Sequence, residues 1–298
     1  MQTLKHVHRN ERIQISSTLP VVGVANVRSL LLKLNSLIEK IQNEDIDVTL
    51  VCEVWEKTGK KNRHFQNKTE EMREMRGLKY ISCGARPSGK RGGGAAIIVD
   101  TIKFSLERLD VSVQNNLEVQ WGLVRPKVID QNTRFEEFIF CSLYSPPASR
   151  KHRKLLDHLV STTHALMARF PQAAIYLCGD KNQLSLATLL LALPRFAQIV
   201  AHKTHGEKVL DVIITNCPEI YAVPVVTPPV LPDDPWHAAP SDHCVPVARP
   251  LAFAPQACTN VYTEKVYRPL PESKVRVFMQ WILSEAWEMI PNNSSPTE

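Results

Sequence analysis

The stretch AIYLCGDKN, residues 174–182, runs an apolar segment into an acid, a base and an amide: Asp180, Lys181 and Asn182. In an extended strand, side chains two residues apart share a face, so Asp180 and Asn182 converge while Lys181 takes the other side. Gly179 permits a sharp bend or a close approach of another chain at that point. An Asx-type turn after a buried strand explains GDKN equally well when it is taken alone. The habit recurs, however. Asn26 closes VVGVAN, Glu53 follows TLVC, Tyr144 closes FCSLY, Asp211 stands in KVLD, and Asp242 and His243 precede CVPV. Singly these are a helix cap, a surface acid, a turn opener and a structural histidine. Six such coincidences in one chain form a pattern, because sheets flanked by helices gather ligands at strand termini.

The elements that must position these residues follow from periodicity. Residues 21–27 and 47–55 are strand-like, and between them apolar residues at 30, 31, 34, 37, 38 and 41 keep helical spacing. After a basic loop come KYISCG, AAIIVD, KFSLERLDV, LEVQWGLVR and RFEEFIFCSLYSPP, all rich in β-formers, so the first half reads as sheet with one early helix. A helix over 150–170, the AIYLCGDKN strand, a short helix in LSLATLLLAL and strands in KVLDVIITN and HCVPVARP complete the series. Eight prolines between Ala222 and Pro250 exclude a central strand there and predict a loop or edge that delivers SDHC to the sheet. Residues 1–19 read as a flexible terminus, 20–250 as the main domain, and 251–298 as a connector carrying an amphipathic helix between Pro271 and Pro291. Trp281 and Trp287 on that helix leave two readings open, packing back on the domain or docking a partner.

Length and composition bound the class: 298 residues, 44% of them apolar, can bury a substantial core. No apolar run reaches a membrane span, and the opening LKHVHRNER has neither a secretory signal nor a transit-peptide pattern. Seven scattered cysteines without a CxxC pair read as reduced thiols, which favours a reducing compartment, nuclear or cytoplasmic. The formal charge of +6 is unevenly spread. Residues 57–91 hold eleven Lys or Arg against three Glu, a local +8 that leaves −2 for the rest. A polyanion partner is the reading this supports.

In order along the chain, NVRSL, CEVW, SLYSPP, CGDKN, VLDVIITN and SDH resemble the motifs of the endonuclease/exonuclease/phosphatase superfamily, the fold of deoxyribonuclease I and the abasic-site endonucleases. RGGGAAIIVD, YSPP and the LPDDP to SDH segment further resemble the endonuclease domain of non-LTR retrotransposons, and PESKVRVFMQWI the connector after it. The resemblance covers residues 20–290 and implies a four-layer αββα sandwich of the α+β class, two face-to-face, mostly antiparallel β-sheets flanked by helices. It also implies a site. Glu53 matches the main metal ligand, with Asn26 and Asp242 completing or supporting an oxygen-rich position suited to Mg²⁺ or Mn²⁺. Asp180 matches the residue that polarises the attacking water, and Asn182 and Tyr144 would hold the phosphate. His243 would donate to a phosphate oxygen, with Asp211 behind its ring. The implied products are a 5′-phosphate and a 3′-hydroxyl that a reverse transcriptase would extend.

DNA contacts are expected from Lys60, Lys61, Arg63, Arg86, Lys90 and Arg91, and from Arg150, Lys151 and Arg153 in RKHRK, whose charge opposes the dipole of the helix it opens. Two positions depart from the family pattern: Lys181 stands where an aromatic residue is usual and must snorkel or pair, and Thr204-His205 stands where retroelement domains carry Thr-Arg. No aromatic-x-Asp-Asp polymerase motif lies in a strand, so a reverse transcriptase would be supplied from elsewhere; an excised domain, a decayed element and a recruited gene all fit. Rival readings are a phosphohydrolase of the same fold acting on inositol phosphates, sphingomyelin or RNA tails, and a catalytically silent DNA-binding module.

Overall fold

Two six-stranded sheets lie face to face in the computed structural model, which describes residues 19–57, 62–86, 92–114, 116–129, 134–147, 149–234, 236 and 239–251. The N-terminal and C-terminal segments read above, with Lys60, Lys61, Lys90 and Arg91, lie outside the described residues. In chain order the strands are β1 (Val22–Asn26), β2 (Val48–Cys52), β3 (Leu78–Ser82), β4 (Ala95–Asp100), β5 (Phe104–Arg108), β6 (Glu118–Pro126), β7 (Phe138–Tyr144), β8 (Ala174–Asp180), β9 (Ala197–Gln198), β10 (Asp211–Thr215), β11 (Val225–Thr227) and β12 (Val245–Ala248). The helices are α1 (Leu34–Asn43), α2 (Asn62–Arg76), α3 (His152–Arg169) and α4 (Leu186–Ala192). One sheet has the order β11-β12-β1-β2-β4-β3, the other β5-β6-β7-β8-β10-β9. Each contains one parallel pair, β1 with β2 and β7 with β8, and is otherwise antiparallel. The αββα sandwich expected from the resemblance is the observed fold.

Strand parity divides the chain into three cores. Val22, Val24, Val48, Leu50, Phe138, Phe140, Tyr176, Cys178 and Ile213 point between the sheets. Their odd-numbered or even-numbered neighbours, Ile139, Cys141, Ile175, Leu177 and Val212, point outward beneath Leu155, Leu159 and Leu166 of α3. Leu34, Leu37, Ile38 and Ile41 of α1 cover Ala25 and Val51 on the other sheet. Central strands covered on both faces must be apolar throughout, which is why FIFCSLY and AIYLCGD lack the alternation seen in the edge strand β5.

One expectation needs correction and another holds. The basic segment is not simply a loop, for residues 62–76 form α2. Its only deeply buried apolar anchors among the described side chains are Phe65 and Met72, two turns apart, and opposite charges at i,i+3 in Lys68–Glu71 and Glu70–Arg73 support the exposed face. The proline-rich segment does contain a strand, β11, and it is an edge, as proline requires. Asp233 of the same segment reaches back 198 and 197 residues, its carboxylate accepting from the backbone N–H groups of Asn35 and Ser36 at 3.1 and 2.9 Å. It caps α1, whose own N-cap position, Lys33, offers no side-chain acceptor.

Candidate active site

Both parallel crossovers send their strands toward the same mouth, so β1, β2, β7 and β8 all end there. In one sheet Asn26 pairs with Cys52 and Cys52 with Ala95; in the other Glu118, Tyr144, Asp180 and Asp211 form a single rung across four strands. The parity that aims Val24 and Leu50 between the sheets therefore aims Asn26 and Cys52 there, and the parity of Phe140, Cys178 and Ile213 does the same for Tyr144, Asp180 and Asp211. Chain position and pleat alone bring together residues up to 185 positions apart.

Glu53, one residue past β2, is held at φ +54°, and Trp55 at +59°. Arg28, Ser29 and Asn182, at the same mouth, also have positive φ. Left-handed backbone at five non-glycine residues around one opening is the kind of local cost that persists where geometry is fixed for a purpose. It turns the Glu53 carboxylate into the mouth, where Oε1 accepts from the Tyr144 hydroxyl at 3.0 Å and the Asn26 amide at 3.4 Å, and Oε2 accepts from the Trp55 indole at 3.0 Å. Burial, then the charge of Glu53, pushes the Tyr144 hydroxyl well above the usual tyrosine range, so it stays a donor.

Asp180 is buried, and its carboxylate accepts from the Asn26 amide at 3.0 Å, from the Asn182 backbone N–H at 2.9 Å and from the Asn182 amide at 2.9 Å. The second amide proton of Asn182 goes to the Ser145 carbonyl at 2.9 Å. Asn182 thus buttresses Asp180 directly. Burial, then the charge of Asp211, raises Asp180 to about 6 despite those donors and the nearby His243. Beneath it the Cys52 thiol joins the two sheets, donating to the Leu143 carbonyl at 3.1 Å and accepting from the Asp180 N–H at 3.2 Å. Lys181 leaves the strand on the opposite side and donates to the Asn182 carbonyl at 3.1 Å.

His243 is buried with Nδ1 2.8 Å from Asp211 Oδ2, and Asp211 is wholly buried. Burial disfavours the imidazolium, but the hydrogen bond and charge of Asp211, followed by Asp180 and Asp242, outweigh it and raise the pKa. Thr204 fixes this carboxylate's strand: its hydroxyl accepts from the N–H groups of Leu210 and Asp211 at 3.0 Å each. Asp242 lies on the histidine side of the mouth, with Oδ1 3.4 Å from Arg28 and Oδ2 3.2 Å from His205. The Ser241 hydroxyl donates to the Asn26 carbonyl at 2.5 Å, tying the SDH turn to β1.

Sequence reasoning named Asn26, Glu53, Tyr144, Asp180, Asn182, Asp211, Asp242 and His243, and the structure places them around this one mouth. It passed over Cys52, Trp55, Glu118, Ser241 and the hydroxyl of Thr204. Glu118 shows why: it shares the Tyr144 rung but spends its carboxylate on Arg86 Nε at 2.7 Å and the Gly94 N–H at 2.6 Å. Arg86, expected to meet DNA, is thereby half-buried in an ion pair. Arg63 stands exposed in the first turn of α2. Arg150, Lys151 and Arg153 are exposed at the start of α3, which has no acid in its first turn. A cavity of about 790 Å³ adjoins the mouth, bounded by Arg86, Arg108, Glu118, Trp121 and Lys151.

The Glu53 carboxylate is a hard oxygen donor whose hydrogen bonds come from neutral groups, a phenol hydroxyl, an amide and an indole N–H, and this chemistry fits a magnesium-like dication. No helix among the described residues is long and apolar enough to cross a membrane.

Neither a family model nor a curated protein matches the sequence. Solved structures do match in fold. The endonuclease domain of TRAS1, a telomere-specific non-LTR retrotransposon, is 17% identical with a TM-score of 0.54, over 78% of this chain and 97% of that one. A mannosyl-6-phosphatase from Bacteroides thetaiotaomicron is 19% identical with a TM-score of 0.54, over 78% and 100%. A 3′ phosphatase from Neisseria, solved with a product DNA hairpin, is 13% identical with a TM-score of 0.52, over 78% and 99%. The chain shares the αββα fold of these structures and of an endonuclease/exonuclease/phosphatase family protein from Bacteroides thetaiotaomicron.

Proposed function

We propose that the chain is a metal-dependent phosphodiesterase that nicks DNA by in-line attack of water, leaving a 5′-phosphate and a 3′-hydroxyl. The observation that carries the reading is the convergence at one mouth of three differently prepared groups. These are a carboxylate held by neutral donors (Glu53), a carboxylate raised to about 6 (Asp180) and an imidazole backed by a buried acid (His243 with Asp211).

Each group has a distinct task. Glu53, with Asn26 and Asp242 in support, would hold a Mg²⁺ or Mn²⁺ ion, which when bound neutralises charge on the phosphate. Asp180, close to neutrality in its proton affinity, orients the attacking water and takes its proton; Asn182 and Asn26 keep its carboxylate aimed. His243 donates from Nε2 to a phosphate oxygen as charge develops there, and Asp211 fixes the ring and favours the cation. The Tyr144 hydroxyl supplies a further donor. Exposed Arg63, Arg150, Lys151 and Arg153 would follow the DNA backbone on either side. A reverse transcriptase that extends the 3′-hydroxyl is the partner this product suggests.

The test is supercoiled plasmid with Mg²⁺ or EDTA. Relaxed circles should form only with the metal, and Asp180→Ala and His243→Ala should abolish them. Equal nicking by both variants would point to a contaminant and end the reading. The 790 Å³ cavity supports one rival, a phosphatase for a small phosphorylated headgroup, since its size suits such a ligand. Phosphate released from inositol phosphates while plasmid stays intact would establish the rival instead.

A further inference from the structure

His205, Asp242 and His243 form a second constellation at the edge of the mouth, which shares Asp242 and His243 with the site above and adds His205. Two loops carry it. The turn closed by the His205–Lys208 bridge and the SDH turn before β12 are tied by the Cys244 N–H donating to the Thr204 carbonyl at 2.7 Å. That tie lays the two imidazoles against each other, with ring centroids 4.5 Å apart at 42°. His205 Nε2 lies 3.2 Å from Asp242 Oδ2, His243 Nε2 lies 4.0 Å from Asp242 Oδ1, and one ligand atom from each residue falls within 4.8 Å of the others.

We infer that these three residues bind a zinc ion, and that zinc there shuts off the hydrolytic site. Two imidazoles and one carboxylate make the donor set of an open zinc site, whereas magnesium avoids imidazole. Ligand atoms around a tetrahedral zinc with bonds of about 2.1 Å stand about 3.4 Å apart, so the present spacing closes with small side-chain rotations. The independent observation is behind His243. Its Nδ1 is already held by the buried Asp211 carboxylate at 2.8 Å, the carboxylate–histidine arrangement that orients a metal-binding imidazole and strengthens it as a ligand. His205 and Asp242 are partly exposed, which leaves an entry path and a fourth position for water. Arg28, 3.4 Å from Asp242 and itself solvent-exposed, can swing aside.

Inhibition follows from one atom. His243 Nε2 cannot both ligate zinc and donate to a phosphate oxygen. The inhibitory half rests on the nuclease reading above; the binding half does not. The full chain, stripped with EDTA, is titrated with Co²⁺ as a spectroscopic stand-in and then with Zn²⁺. Wild type should show the visible bands of a tetrahedral nitrogen/oxygen site, displaced by Zn²⁺. His205→Ala and His205→Gln should bind at least about 100-fold more weakly. Thiolate charge-transfer bands, or unchanged binding by both variants, would overturn the site. In Mg²⁺-supported nicking, Zn²⁺ should lower the wild-type rate about tenfold or more. His205→Ala should keep the basal rate and lose zinc sensitivity. Equal inhibition of both proteins would place zinc at Glu53 and overturn the inference. If wild type nicks nothing, the nuclease reading fails while the cobalt titration still decides the site.

Discussion

Asp211 stands directly opposite Asp180 on the antiparallel β8–β10 pair, so two buried carboxylates share one rung of the sheet. The proximity is costly in the absence of a bound cation, and burial plus Asp211 lifts Asp180 to about 6. An acid whose native pKa exceeds its unfolded value of about 3.9 stabilises nothing at neutral pH. Its relative stability is present below the unfolded value and lost as pH rises toward 6. At pH 7.5 in EDTA, Asp180→Asn should therefore raise stability, by at most about 3 kcal/mol, with the gain vanishing near pH 4. Urea unfolding at the two pH values measures it. The same variant should lose nicking by roughly 100-fold or more. Equal gains at both pH values would refute the coupling.

The His243–Asp211 pair works in the opposite sense. Its raised pKa means the stability it contributes is present below the ordinary histidine value of about 6.5 and lost as pH rises through the higher native one. If the imidazolium is the phosphate donor, nicking should hold through neutrality and fall on the alkaline side of that value. Asp211→Asn should move this limb to lower pH, toward 6.5, and His243→Gln should remove it along with most of the rate. A pH–rate profile under excess plasmid reads both; an unmoved limb in Asp211→Asn would exclude His243 as its origin.

How much of this was legible in the sequence depends on distance and on period. Asp180 and Asn182 could be read because a period of two places them, and the same pleat aims Asn26 and Tyr144. α2 was missed because a solvated helix with two apolar anchors, Phe65 and Met72, leaves almost no hydrophobic stripe. The Cys52 thiol and Glu118 carboxylate were invisible for another reason. Their roles arise from β2 facing β7 and β8, and from β6 pairing with β7, relationships that no local window contains. His205 was noticed only as a departure from Thr-Arg; its contact with Asp242 needed the fold.

Asp233 offers a test of a cap supplied from far away. Removing a carboxylate that accepts from two N–H groups at a helix start should cost about 1 kcal/mol, and Asp233→Asn should retain most of it. Thermal unfolding of Asp233→Ala and Asp233→Asn separates the two. Equal loss would assign the effect to charge at the helix dipole rather than to the cap.

Arg150, Lys151 and Arg153 distinguish a polyanion from a small phosphorylated ligand. Each phosphate neutralised contributes about 0.9 to the slope of log K against log salt. Triple replacement by Ala should flatten that slope for duplex DNA by up to about 3, with binding at low salt reduced and the fold unchanged. An unchanged slope would remove the start of α3 from the DNA interface.

Gly179 carries the sharpest constraint in the site. It sits at φ +141° in the next-to-last pair of the β7–β8 ladder, opposite Leu143, and a β-carbon built there would lie 1.9 Å from the Leu143 carbonyl oxygen. That atom is backbone in a central strand, and its carbonyl also accepts from the Cys52 thiol, so retreat would pull the two sheets apart at the mouth. Both penalties apply to Gly179→Ala, the left-handed backbone and the overlap, and neither is relieved by a rotamer change. A loss of roughly 3 kcal/mol or more is expected, visible as a lowered urea midpoint or as insoluble protein. Ala is larger than Gly by a single methyl, so the size of the loss reads out how closely β7 and β8 must approach for Tyr144 and Asp180 to share their rung. A variant that unfolds like wild type would show that this approach is not needed.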